Sequence, residues 1–207
     1  MDLQLRHLSD RFDSNLISIV VGFKKEMIME AHPGVSYIYN DEFGDTNTSK
    51  SLLRGLRLTG KDPVLWLNGD VVFDPTVLEI LQPYIDRDQS FVAVNTESVS
   101  DEEVKYTLDD RGFIDEISKE VTDGLGEAVG INFVGSSDKP FLAARLEDCG
   151  QQDYFERGIE LAIVRDRRKF RAIDISAARC MEVDFPTDLA QAETTFADLG
   201  MKTDLTS

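Results

Sequence analysis

Short apolar runs rich in β-branched residues recur along this chain, and between them the apolar spacing changes to that of a helix. LISIVV (16–21), VSYIY (35–39), VLWL (64–67) and FVAVN (91–95) each read as a strand. Unbroken apolar runs of this length fit strands covered on both faces rather than half-exposed ones. The spacing predicts helices over 24–31, over 51–58 and after Pro75 through Val77, Ile80 and Leu81. Ahead of them Leu5, Leu8 and Phe12 form a short helical stripe over 3–13. Strand and helix alternating at this short interval require crossover connections, so the first half predicts parallel strands and an α/β fold.

The second half changes character. Segments 105–108, 112–118 and 130–134 read as antiparallel strands around turns such as Asp109-Asp110-Arg111-Gly112. Helical spacing returns over 154–164, strands follow at 170–175 and 179–183, and a last helix is expected over 186–199. The sheet is therefore mixed. No linker or repeat interrupts the pattern, so residues 1–207 read as a single domain, large enough to bury about 70% of its unfolded surface.

Charge narrows the partners. The 39 acidic and 22 basic side chains leave a net charge of −17, which repels nucleic-acid phosphates and anionic membranes; neither is an expected partner. No apolar run approaches the ~20 residues that span a bilayer. The charged opening MDLQLRHLSDRFD is not a signal peptide, so the chain is expected to be cytoplasmic. Two cysteines and two histidines supply neither a disulfide framework nor zinc chemistry.

In a parallel α/β sheet, ligands bind beyond the carboxyl ends of the strands. VLWLNGD sets Asp70 at such an end, behind a glycine that admits close approach, although a helix cap or turn former also uses an aspartate there. The run 179–183 likewise ends in Asp184, two residues before Pro186 opens a helix, where capping is again an alternative. Were the two strand ends neighbours, Asp70 and Asp184 would offer hard oxygens to Mg²⁺, an ion held by one or two carboxylates together with substrate phosphates. Phosphoryl or nucleotidyl transfer is the chemistry such a set supports. Elsewhere, Arg165 to Arg171 concentrates five basic residues in seven, readable as a phosphate attractor or as a solvated turn.

The ordered segments ISIVVGFKKEMI, YNDEFGDTNTSKSLLRGL, VLWLNGDVVFD, ISKE, GEAVGINF, YFERGIELAI and MEVDFPTDLAQA resemble the GT-A type nucleotidyltransferases, the sugar-phosphate and phosphocholine cytidylyltransferase-like group. The resemblance runs from about Leu16 to Ala192 and implies a three-layer, Rossmann-like nucleotide-diphospho-sugar transferase fold with a mixed sheet. It implies that Asp70 and Asp184 hold the catalytic Mg²⁺, that Lys119 steadies the acceptor phosphate, and that Glu127 lies near the acceptor. It also brings a nucleoside triphosphate such as CTP and a phosphorylated acceptor into view. Asn47, Ser49 and Ser51 open a helix, where amides and hydroxyls suit a nucleotide; simple capping by Asp45, Thr46 or Ser49 is the competing reading.

One departure stands at the front. The resemblance implies a first strand and a glycine-rich phosphate loop ahead of LISIVV, and the chain carries neither, so triphosphate binding is expected to be weak. The missing strand belongs between 16–21 and 64–67, which leaves two apolar strand edges unpaired. Either the sheet rearranges or a homodimer covers them. A non-catalytic binding or regulatory domain, or a GT-A glycosyltransferase, are the alternatives; against the latter, Gly69-Asp70-Val71-Val72-Phe73-Asp74 lacks a D-x-D arrangement.

Overall fold

The structure is a computed structural model that describes residues 1–97, 99 and 103–200. In chain order its first half holds α1 (Asp2–Ser9), β1 (Ser18–Val21), α2 (Lys25–Ala31), β2 (Ser36–Tyr39), α3 (Thr48–Leu58), β3 (Val64–Leu67), β4 (Val71–Phe73), α4 (Thr76–Ile85) and β5 (Phe91–Asn95). The second half adds β6 (Lys105–Leu108), β7 (Ile114–Ser118), β8 (Glu127–Val134), α5 (Lys139–Asp148), α6 (Phe155–Asp166), β9 (Arg171–Asp174), β10 (Cys180–Glu182) and α7 (Pro186–Thr195).

Six strands make the central sheet, in the order β7-β6-β8-β5-β9 with β3 also on β8. Both β3 and β5 run antiparallel to β8, and β9 runs parallel to β5. The carboxyl ends of β3, β5 and β9 therefore share one edge, the edge where an α/β sheet receives its ligand. Strand β5 shows why FVAVN is apolar throughout. Val92 and Val94 face a core built with Leu52, Leu56, Leu142, Leu146, Phe155 and Ile159 from α3, α5 and α6. Phe91 and Ala93 face the opposite core, with Val77, Leu78 and Leu81 of α4. Period-two alternation thus feeds two apolar layers, and the molecule is a three-layer α/β fold with a mixed sheet.

The glycine within β8 sets the geometry of the ligand edge. Gly130 lies at φ +70°, a conformation that favours glycine, and the ladder between β5 and β8 shifts register beside it, between Val92 and Val94. A Cβ at Gly130 would sit 2.7 Å from the Asn68 side-chain nitrogen, and Asn68 N–H donates to the Gly130 carbonyl at 2.9 Å. The irregularity lets the turn that carries Asp70 close down on the sheet.

Several elements depart from the sequence expectation, among them the last helix, which ends at Thr195 rather than 199. The helix expected over 51–58 begins at Thr48, because Asn47 is extended and its side chain accepts from Thr48 N–H at 2.8 Å. Helix α5 was not expected; its buried Leu142 and Leu146 recur at one helical turn behind Pro140. Strand β4 is three residues long, too short for a period, and pairs antiparallel with β10 in a separate two-stranded ribbon. LISIVV is also less buried than expected, with Val21 the one buried position of β1.

Among the described residues, strand β1 pairs in parallel with β2 alone, and β3 with β8 alone. The neighbouring strands do not close the gap between them. Helix α3 packs against both sides of it: Gly55 lies against Val20 of β1, and Leu52 and Leu56 share a core with Trp66 of β3. Six large apolar side chains between 16 and 43 (Leu16, Phe23, Met27, Met29, Tyr39 and Phe43) stay exposed around this unit.

Candidate functional site

The β4–β10 ribbon joins two segments more than a hundred residues apart. Glu182 pairs with Val71, and Val183 N–H donates to the Asp70 carbonyl at 3.0 Å. Asp70, entering β4, and Asp184, leaving β10, therefore emerge together at one end of the ribbon, each following a strand as the sequence predicts. Their charges interact. Desolvation in the crevice raises the Asp70 pKa, and the neighbouring Asp184 carboxylate raises it further.

Neither aspartate caps a helix, although Asp70 does stand in the turn between β3 and β4. Asp70 leads into a strand, and ahead of α4, whose N-cap is Pro75, it is the Asp74 carboxylate that accepts from Thr76 N–H, at 3.0 Å. At α7 the N-cap is Phe185, and it is Asp188 that reaches back to the amides of Phe185 and Asp184, at 2.8 and 3.2 Å. Asp74 itself is fully engaged. Against its desolvation, hydrogen bonds from Thr76 and Arg179 hold its pKa at about 2, with Arg179 at 2.6 Å. It is not a second carboxylate for Asp70's ligand.

Further carboxyls line the same crevice. Glu182 lies two residues before Asp184, and desolvation, followed by the charges of Glu103, Asp70, Asp184 and Glu156, pushes its pKa up to about 7. Glu156, in the first turn of α6 and 9% exposed, is also raised to about 7, chiefly by burial; its own amide and Lys119 oppose the rise, and Glu103 adds to it. Lys119 follows β7, and its ammonium stands 5.1 Å from the Tyr154 ring centroid. Lys119 thus interacts with Tyr154 and Glu156, and Glu182 couples to Asp70, Asp184 and Glu156. The sequence reading missed Glu156 and Glu182. Their signal was position alone, in the segments YFERGIELAI and MEVDFPTDLAQA.

Other expected site residues lie differently. Glu127 opens β8, paired with Asn95 at the carboxyl end of β5 and with Lys105 of β6. The segment from Asn47 to Ser51 is turned toward its own fold. Asn47 N–H and Ser49 N–H donate to the carbonyls of Gln151 and Asp153, Ser49 is wholly buried, and Ser51 Oγ accepts from Asn40 at 3.2 Å. These residues fix α3 against the 151–153 turn, and the N-cap is Asn47 rather than Asp45, Thr46 or Ser49. The basic run 165–171 is likewise absorbed: Arg165 pairs with Asp148, Arg168 with Asp138 and Lys169 with Asp109.

Asp70 and Asp184 suit a hard divalent cation. The Asp184 charge reaches Asp70, neither carboxylate has an ion-pair partner among the described residues, and repulsion between like charges is what a cation relieves. Among those residues no group of three or more potential metal ligands comes together.

The sequence profile described as glycosyl transferase family 2 matches residues 19–139. The chain belongs to that family. No curated protein sequence matches it. Among solved structures it is similar to the CTP:phosphocholine cytidylyltransferase of Streptococcus pneumoniae, at 16% identity and TM-score 0.73 over 94% of this chain and 84% of that one. The inositol-1-phosphate CTP transferase of T. maritima gives 14% and 0.74, over 98% and 84%. A UDP-glucose pyrophosphorylase complexed with UDP-glucose gives 12% and 0.69, over 95% and 87%. At these identities the likeness establishes the fold: this family member has the GT-A, nucleotidyltransferase-like architecture. The family match ends at residue 139, before Tyr154, Glu156, Glu182 and Asp184. No helix among the described residues is long and apolar enough to cross a membrane.

Proposed function

We propose that this chain carries a Mg²⁺-dependent nucleotidyl-transfer site, joining the nucleotidyl group of a triphosphate such as CTP to a phosphorylated acceptor and releasing pyrophosphate. The observation that carries the reading is the meeting of Asp70 and Asp184 from different strands while Asp74 is tied to Arg179 and Thr76. A D-x-D glycosyltransferase would draw two carboxylates from one loop; here the second comes from β10.

In this reading Asp70 and Asp184 hold the ion, and Mg²⁺ when bound neutralises charge on the reacting phosphates. An acceptor phosphate oxygen attacks the α-phosphorus in line; the new P–O bond forms as the bond to the bridging α–β oxygen breaks, and pyrophosphate leaves. Lys119, placed against Tyr154, supplies positive charge where two phosphates meet. The remaining contribution is positioning. Glu156 beside this lysine, with Glu182 coupled to Glu156, favours an acceptor that adds a cationic group to its phosphate, of phosphocholine type, over a neutral sugar phosphate.

The family match over 19–139 favours a second reading, glycosyl transfer from a nucleotide-sugar. Separate reactions with Mg²⁺ decide between them: CTP with phosphocholine, CTP with glucose 1-phosphate, and UDP-glucose alone. The proposal expects pyrophosphate from a CTP reaction, lowered on the order of 10²-fold in Asp70→Asn and Asp184→Asn. UDP release from UDP-glucose without pyrophosphate would replace it with glycosyl transfer. Turnover in none would leave a non-catalytic binding domain.

The exposed apolar side chains between 16 and 43, together with the free edges of β1 and β3, further support a homodimer that covers this region. The net charge of −17 further supports a cytoplasmic protein without nucleic-acid partners.

A further inference from the structure

Where the β4–β10 ribbon turns away from the central sheet, it leaves a cavity of about 330 Å³. The carboxyl ends of β5 and β9, the inner face of α7 and the outer edge of β10 bound it. None of Asp70, Lys119, Glu156, Glu182 or Asp184 lines it.

Strand pairing explains one wall. Asp74 N–H donates to the Arg179 carbonyl, and Val183 N–H to the Asp70 carbonyl, so those groups of β10 face β4. By the alternation of an antiparallel ladder, the N–H and C=O of Cys180 point the other way. That edge has no partner strand among the described residues, and it borders the cavity. A donor and an acceptor on a fixed backbone thus stand ready at one wall.

Side chains supply the rest. Glu97 and Gln191 line the cavity, and their side chains make no hydrogen bond with the other described residues. Ser176 Oγ donates to Asn95 at 3.0 Å and accepts from Thr96 N–H at 2.8 Å, which holds the wall at the ends of β5 and β9. Arg179, the one basic residue of the lining, is engaged with Asp74, Asp198 and the Thr195 carbonyl. It has no charge to spare for an anion, and the Glu97 carboxylate repels one. Val129 and Ile175 add an apolar floor.

We infer that this cavity is a second small-molecule site, for an uncharged polyhydroxylated ring of sugar or cyclitol type. Paired backbone groups, an amide and a carboxylate suit hydroxyls, the floor suits the apolar face of a ring, and the volume sits at the small end of ligand sites.

Saturation-transfer difference NMR on the full chain, with methyl α-D-glucoside and myo-inositol as probes, tests the inference. It expects transfer to the ring protons of at least one probe with a Kd of about 1 mM. Ala178→Trp, which fills the cavity, and Gln191→Leu, at an exposed position of α7, should each weaken it at least about tenfold, a loss of about 1.4 kcal/mol. Asp70→Asn should leave it unchanged. Absence of transfer to both probes, or transfer undiminished in both cavity variants, would overturn the inference. Loss in Asp70→Asn would also overturn it, by placing the sugar at the carboxylate crevice.

Discussion

A carboxyl whose pKa rises on folding holds a proton that the unfolded chain has already released. For Glu156 and Glu182 the folded value is about 7 against 4.5 unfolded, with desolvation the leading cause in both. Between these values the native state binds more protons, so each group makes stability fall as pH rises from about 4.5 to about 7, after which the loss is constant. Replacing Glu156 by Gln removes that penalty. Urea denaturation should show Glu156→Gln more stable than the parent at about pH 8, by on the order of 2 kcal/mol, and nearly equal at about pH 4. An equal difference at both pH values would mean that the carboxyl is not raised. Asp70 and Asp184 were legible in the sequence because each ends an apolar run. Glu156 and Glu182 were not, since nothing in a sequence tells a buried helical glutamate from a solvated one. Asn47 and Ser49 were read toward a ligand, but capping and burial against the 151–153 turn claim their groups.

At the scale of elements, the strands of the central sheet were legible because two-sided burial leaves little choice of residue, as in FVAVN. Helix α5 was missed because its amphipathic pattern is weak, resting on Leu142 and Leu146, and β4 because three residues carry no period. The junction between β5 and β8 gives a direct test of the ligand edge. A Cβ at Gly126 would stand 2.4 Å from the Asn95 carbonyl oxygen, a backbone atom with nowhere to yield. Gly126→Ala should destabilise the fold by about 1–3 kcal/mol in denaturant melts and displace Glu127, the next residue. Unchanged stability, with Glu127 amide shifts unmoved, would show that this close approach is absent in solution.

For the whole molecule, two sheets that do not join leave edges and apolar side chains on one side. Multi-angle light scattering should find twice the chain mass of 23.2 kDa. Met27→Glu, at a side chain 62% exposed, should return the species to a single chain. A monomer in the parent protein would show that this surface has no partner copy. The strands on either side of the split were legible as apolar runs, but their separate pairing was not, because no local pattern records which strand a neighbour joins.

In the proposed site Asp70 and Asp184 grip one cation from opposite strands of the ribbon. Paramagnetic broadening by Mn²⁺, followed residue by residue in amide spectra, tests it without any need for turnover. The account predicts that broadening starts at Asp70, Val71, Val183 and Asp184 and disappears from all four in either Asp70→Asn or Asp184→Asn. Broadening centred elsewhere, or persisting around Asp70 once Asp184 is replaced, would contradict it.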